Sequence, residues 1–208
     1  MERIVLASAS PRRQGFFKLL GLPFDCTPAA IDETPAAGLS PREAAEDIAR
    51  RKAGAVAERA EAARANTDSL GASALAGARW IFAADTIVVL DGEIFGTPGS
   101  EEEARVMLGR LAGRKHEVIT AMALIDLRAE KTDCRSVACA VEFAELSSRE
   151  IEWYLATGEW QGAAGGYRLQ EKGGCLVKAV TGSPSAVAGL PLREFYVMLR
   201  DNGYRLEA

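Results

Sequence analysis

Among its 208 residues the chain has one histidine, His116, and four cysteines with no Cys-x-x-Cys spacing. A single imidazole excludes any site that needs two. A metal here would have to be a hard ion on carboxylates, such as magnesium or manganese. Cys26, Cys134, Cys139 and Cys175 are read as reduced thiols that mostly fill core space. No apolar run approaches the ~18 residues that suggest a membrane-spanning helix. The first residues lack the charged-then-apolar order of an export signal, so the expected compartment is the cytoplasm. An excess of positive charge is missing too: 29 acidic against 25 basic residues leave a net charge of -4. That argues against a nucleic-acid polymer as partner, but a small anion needs only a local cluster. Neither G-x-x-x-x-G-K-[ST] nor G-x-G-x-x-G occurs, which removes the familiar phosphate loops.

What remains is an alternation of strand and helix signals within one domain of residues 1–208. An apolar run at Ile4–Leu6 is followed by Ser10 as N-cap and Pro11 as first helical residue. Phe24 to Thr27 is a short extended piece. Ser40-Pro41-Arg42-Glu43 has the form of a capping box and predicts a helix to about Ala65, with Ala45, Ile48, Ala49, Val56 and Ala60 on its apolar face. Asn66 to Ala78 turns to Ala, Ser and Gly and is expected to be a surface connection. "WIFAADTIVVLDGEIF" reads as a strand, an Asp-Gly turn and a return strand. Ser100 opens a helix whose buried face is Ala104, Met107, Leu108 and Leu111. "HEVITAMALID" and "RSVACAVEFAEL" read as a hairpin joined by the polar link Arg128–Asp133. A second capping box at Ser147–Glu150 opens a helix to about Thr157. A glycine-rich stretch, the strand "CLVKAV" and a last helix from Pro191 complete an α/β domain with a mixed sheet, with room for two lobes.

Four features could carry chemistry. Arg12 and Arg13 occupy the first turn of a helix, where the dipole disfavours cations by roughly 0.3–1 kcal/mol each. The same helix start, with Ser8 and Ser10 beside it, would suit a phosphate; the alternative is that both arginines splay into solvent. Asp85 interrupts an apolar strand, where a carboxylate needs a partner, a metal or a turn to cap. With Thr86 beside it, it reads as a base or a magnesium ligand. Lys52 sits mid-stripe between Ile48 and Val56, either snorkelling to water or giving a phosphate a point charge. Glu33, with Asp32, could complete a carboxylate pair. In "GGYRLQEKGG", Tyr167 and Gln170 offer a ring and an amide that could read a base; an ordinary turn is the other reading.

Together, "SASPRR", Ala84-Asp85-Thr86, "GRKHEVITAMAL" and Tyr167-x-x-Gln170 resemble the Maf family of nucleotide pyrophosphatases, in the same order across almost the whole chain. The resemblance does not extend to the Ala-rich stretch from about Ala57 to Ala78. The resemblance implies an inosine-triphosphatase-like fold: an elongated mixed sheet with flanking helices and a cleft between two lobes. It also implies metal-dependent hydrolysis of a nucleoside triphosphate to the monophosphate and pyrophosphate, and a possible homodimer. "ADT" and Tyr-x-x-Gln are similar to the dTTP- and UTP-acting branch. By resemblance Asp85 is the catalytic base, with Lys52 and Glu33 as further catalytic groups and Asp85 and Glu33 as metal ligands. Arg12, Thr86 and Gln170 match substrate-selecting positions, and Ser8 and Arg13 other substrate-binding ones. Thr97 and Ala163 stand where the family usually has lysine, which takes positive charge away from the triphosphate; Lys172 and Lys178 are candidate substitutes. The competing reading is a nucleotide-binding regulator of septum formation with little turnover.

Overall fold

The computed structural model describes residues 1–65 and 75–206. Seven strands form one sheet in the order β2-β1-β3-β5-β6-β7, with β4 paired to β3. In chain order these are β1 (Ile4–Leu6), β2 (Phe24–Cys26), β3 (Trp80–Leu90), β4 (Glu93–Phe95), β5 (Lys115–Asp126), β6 (Lys131–Phe143) and β7 (Val177–Thr181). The helices are α1 (Pro11–Leu19), α2 (Pro41–Ala65), α3 (Glu101–Leu111), α4 (Ser148–Leu155), α5 (Pro184–Val187) and α6 (Leu192–Asp201). β1 runs parallel to both β2 and β3, while β4 and β7 pair antiparallel with β3 and β6. The expected mixed α/β sheet is therefore present. Within the surface connection expected over Asn66–Ala78, residues 66–74 lie outside the described residues.

The local signals account for most element boundaries. Glu43 closes the Ser40 capping box: the Ser40 backbone N–H donates to its carboxylate at 2.9 Å, and the Glu43 N–H donates to Ser40 Oγ at 3.4 Å. Ser147 and Glu150 form the second box in the same way. Asp91 and Gly92 take φ of 52° and 82°, the left-handed pair that a tight two-residue hairpin requires. β5 and β6 are sheet neighbours with only residues 127–130 between them, which admits a hairpin and no crossover. α5 was not anticipated, although Ser183 caps it by accepting from the Ala186 N–H.

The chain divides into two compact units. The first comprises residues 1–85, 121–136 and 192–208, the second residues 86–120 and 137–191. The core of the first unit includes Phe17, Phe82 and Phe195, whose ring centroids lie 4.5–5.6 Å apart. That of the second gathers Val88, Phe95, Leu108, Val141, Phe143, Tyr154 and Tyr167. Among the cysteines, Cys139 fills core space as expected. Cys26 and Cys175 do not, being exposed on an edge strand and in a glycine-rich turn.

Candidate functional site

In the first unit, parallel pairing of β1 with β3 sets Leu6 opposite Phe82, and the Ala7 N–H donates to Phe82 O at 2.8 Å. β1 then leads through residues 7–10 into α1, while β3 continues to Asp85. The C-terminal ends of neighbouring parallel strands are where open α/β sheets offer ligand sites. Ser10 holds the N-cap position, but its side chain makes no cap bond; its backbone N–H donates to Ser8 Oγ at 3.2 Å. Ser8 also accepts from Arg13 Nη1 at 3.3 Å, so this one hydroxyl orders both the turn and the guanidinium. Arg12 is half-buried one residue earlier.

Lys52 is the centre of the arrangement. The stripe on α2 carries it inward, and it is 7% exposed. Its Nζ lies 2.8 Å from Asp85 Oδ1 and 2.7 Å from Glu33 Oε2. Asp85 is buried and Glu33 largely exposed, so one carboxylate is fixed and the other is free to rearrange in water. Burial of the Arg13 guanidinium works against its charge and pulls its pKa down, while Asp85 and Glu33 act in the opposite direction. Arg13 and Lys52 thus balance two carboxylates without any ligand. That revises the reason for an arginine in the first turn of α1: Arg13 is compensated by the protein's own carboxylates. Asp32 takes no part, because its carboxylate caps a turn by accepting from the Thr34 N–H at 2.9 Å.

Asp85 and Glu33 are also the residues that could hold a metal. Their oxygens converge on one point, now held by the Lys52 ammonium. No cluster of three or more metal-ligating side chains occurs among the described residues. Two hard oxygens fit magnesium or manganese, which keep waters and take phosphate oxygens as remaining ligands.

In the second unit, Thr86 follows Asp85 directly on β3 and is half-buried. Its hydroxyl lies 2.9 Å from that of Thr120, which is fully buried on β5 and donates to Ala186 O at 2.8 Å. Gln170 is exposed, and its amide Nε2 donates to Oε1 of its neighbour Glu171 at 3.4 Å. Tyr167 is not available to read a base. Its ring stacks edge-on against Phe143 at 4.8 Å, its hydroxyl lies 2.8 Å from His116 Nε2, and it is 5% exposed. Burial depresses the His116 pKa to about 4, which leaves the ring neutral near pH 7. Thr97 is exposed, whereas Ala163 is fully buried, so a lysine at 163 would have to displace its neighbours to reach water. Lys178 is committed to Glu142 at 2.7 Å and Lys172 is exposed. Thr120 was not singled out in the sequence, where its only signal was a hydroxyl inside an apolar strand.

Lys52, Asp85 and Glu33 thus form one cluster, with Arg13 and Ser8 at the start of α1, on an α/β sheet. The comparisons give the family. The Maf-like protein family matches residues 3–202, and the chain belongs to it. It is 40% identical to a dTTP/UTP pyrophosphatase of Pelotomaculum thermopropionicum, over 99% of this chain and 100% of that one. It is 42% identical to a dTTP/UTP pyrophosphatase of Myxococcus xanthus, over 98% and 94%. Among solved structures, the Ham1 protein of Staphylococcus aureus shares 18% identity with a TM-score of 0.42, over 69% of this chain and 73% of that one. That likeness is too loose to bear on function.

Proposed function

We propose that this protein hydrolyses dTTP and UTP to the monophosphate and pyrophosphate. The observation that carries the reading is the Lys52 ammonium held between Asp85 and Glu33 beside Arg13. Its relatives' activity agrees with that chemistry. In this reading Ser8, Arg12, Arg13 and Lys52 receive the phosphates. Asp85 takes a proton from the attacking water as its oxygen bonds to the α-phosphorus. The bond from that phosphorus to the bridging oxygen breaks, and its electron pair leaves on pyrophosphate. Lys52 and the arginines offset the charge that builds on the leaving group.

A polyanionic substrate approaching two carboxylates calls for more positive charge than three side chains supply. A divalent cation on Asp85 and Glu33 would add it and polarise the phosphoryl oxygens. With a cation held there, the Lys52 ammonium would no longer be bound by those carboxylates and would be available to phosphate. Thr86 and Gln170 select the base. No helix among the described residues is long and apolar enough to cross a membrane; a cytoplasmic nucleotide pool is the place of action in this reading.

The test is product analysis with dTTP or UTP and magnesium. Equal amounts of monophosphate and pyrophosphate are expected. Orthophosphate with the diphosphate, or saturable binding with no product, would defeat the reading; the second result would favour a nucleotide-binding regulator.

A further inference from the structure

Residues 27–40, which join β2 to α2, contain neither helix nor strand, and every residue from Asp32 to Ser40 is exposed. The stretch that carries Glu33 is thus held by something other than core packing. Glu33 itself stands 2.7 Å from the Lys52 ammonium with its side chain 60% exposed. An ion pair that open to water is a weak constraint, and Lys52 shares its charge with Asp85 at 2.8 Å. The restraint comes from the backbone on either side. Arg51, half-buried on α2, donates from Nη1 to Asp32 O at 2.8 Å and from Nη2 to Thr34 O at 2.9 Å. Those carbonyls belong to the residues immediately before and after Glu33. The remaining arm of the guanidinium, Nε, donates to Asp47 Oδ2 at 2.8 Å, one turn back on the same helix. Within the clamped segment the Asp32 carboxylate accepts from both the N–H and the hydroxyl of Thr34, at 2.9 and 2.7 Å.

A guanidinium presents its N–H groups in one rigid plane, so it holds two carbonyls at a fixed spacing; a lysine ammonium is a single point and lacks that fork. Asp47 offsets the charge of Arg51, and the acceptors on the loop are neutral. What Arg51 supplies is therefore geometry. With both flanking residues held, Glu33 keeps its side-chain torsions as its freedom. The carboxylate can turn between Lys52 and water while its backbone stays in place. We propose that Arg51 is a positioning residue that holds Glu33 within reach of Lys52 through the two backbone carbonyls beside it. The proposal rests on the functional reading above, in which Glu33 serves the reaction. It adds the residue that keeps an exposed carboxylate at the buried pair of Lys52 and Asp85.

The test pairs two readouts on the full chain: kcat/KM for UTP at one magnesium concentration, and backbone hydrogen exchange in the segment around Glu33, read by mass spectrometry. Arg51→Gln is expected to speed exchange in that segment and not in the sheet, and to lower kcat/KM about ten- to a hundredfold. Because Arg51 acts through Glu33, adding Arg51→Gln to Glu33→Gln should cost little beyond Glu33→Gln alone. Losses that add overturn the proposal. Arg51→Lys keeps the charge without the fork and should lose most of the same activity; wild-type activity in that variant overturns the proposal in favour of charge. Where Arg51→Gln does not fold, Arg51→Lys carries both readouts. Arg59 makes a comparable bond from α2 to the same connection, Nη1 to Pro28 O at 3.0 Å, away from Glu33. Arg59→Gln should leave kcat/KM within about twofold; a loss equal to that of Arg51→Gln makes both general supports of the loop and overturns the proposal. A wild type that hydrolyses no UTP, or a Glu33→Gln variant as active as the wild type, defeats the functional reading and the positioning role with it. An active wild type that needs Glu33, yet keeps its activity or its exchange rates in Arg51→Gln, defeats the positioning role alone.

Discussion

In the unit that carries Arg13, Lys52 and Asp85, buried polar side chains are mostly charged and matched cation to carboxylate. The pair of Arg79 with buried Asp126, 2.8 Å apart, follows the same pattern. In the unit that carries Thr86, Thr120 and His116, the buried polar side chains are neutral and matched hydroxyl to carbonyl or ring nitrogen. Buried ion pairs are a costly way to hold a fold, since their desolvation rivals their attraction. Hydrophobic replacements would serve stability as well. Their presence in one unit therefore points to chemistry that moves charge, while neutral hydrogen bonds of fixed direction suit discrimination between bases.

The comparison can be broken most sharply at Asp85. Asp85→Asn removes the base and leaves Lys52 its bond to Glu33, so the protein should fold while kcat falls about 10²–10⁴-fold. On the proposed roles the order of preference among bases should survive, because Thr86 and Gln170 are left unchanged. A folded variant with near wild-type turnover would remove Asp85 from its role.

The second test addresses the neutral unit through pH. The His116 pKa of about 4 lies below the ordinary value of 6.5, so the unfolded chain takes up a proton that the folded one refuses. Stability is full above pH 6.5 and declines as pH falls toward 4, by about 3 kcal/mol from this residue. Urea unfolding between pH 7 and 4 should show a shallower decline in His116→Gln, the carboxylates being common to both proteins. Parallel curves would mean that His116 is not held neutral.

Smaller effects sharpen the division. Arg12→Ala should lower kcat/KM for dTTP and UTP alike, by about ten- to a hundredfold for a lost charge-assisted bond of roughly 1.5–3 kcal/mol. Steady-state kinetics that change for one base and not the other would move Arg12 to base selection. Thr97→Lys should raise kcat/KM about tenfold, or 1.4 kcal/mol of transition-state stabilisation. The same assay with no gain would mean the missing charge is already compensated. Ala163→Lys is no equivalent restoration, because that side chain is fully buried.

Much of this was legible in the sequence, and the reason differs by residue. Capping boxes and the Asp91-Gly92 turn are local chemistry, so they fixed α2, α4 and the β3–β4 hairpin. Lys52 and Asp85 announced themselves by breaking an apolar pattern that each would otherwise have completed. Partners distant in sequence were not legible. Nothing near Glu33 distinguishes it from Asp32, yet one meets Lys52 and the other caps a turn. Tyr167 looked like a loop aromatic because its partners, His116 and Phe143, lie on other strands. Thr120 is a β-branched residue in a strand, a common occupant of such a place. Its bonds to Thr86 and to Ala186 O join it to other elements, and those partners are distant in sequence.

The most direct measurement is pyrophosphate release by the wild type, at one magnesium concentration, from dTTP, UTP, CTP, ATP and GTP in parallel. A charged unit that cleaves and a neutral unit that selects predict turnover with dTTP and UTP well above the other three. Equal turnover of all five would leave the second unit without its selecting role, and a preference for purine triphosphates would contradict the account outright.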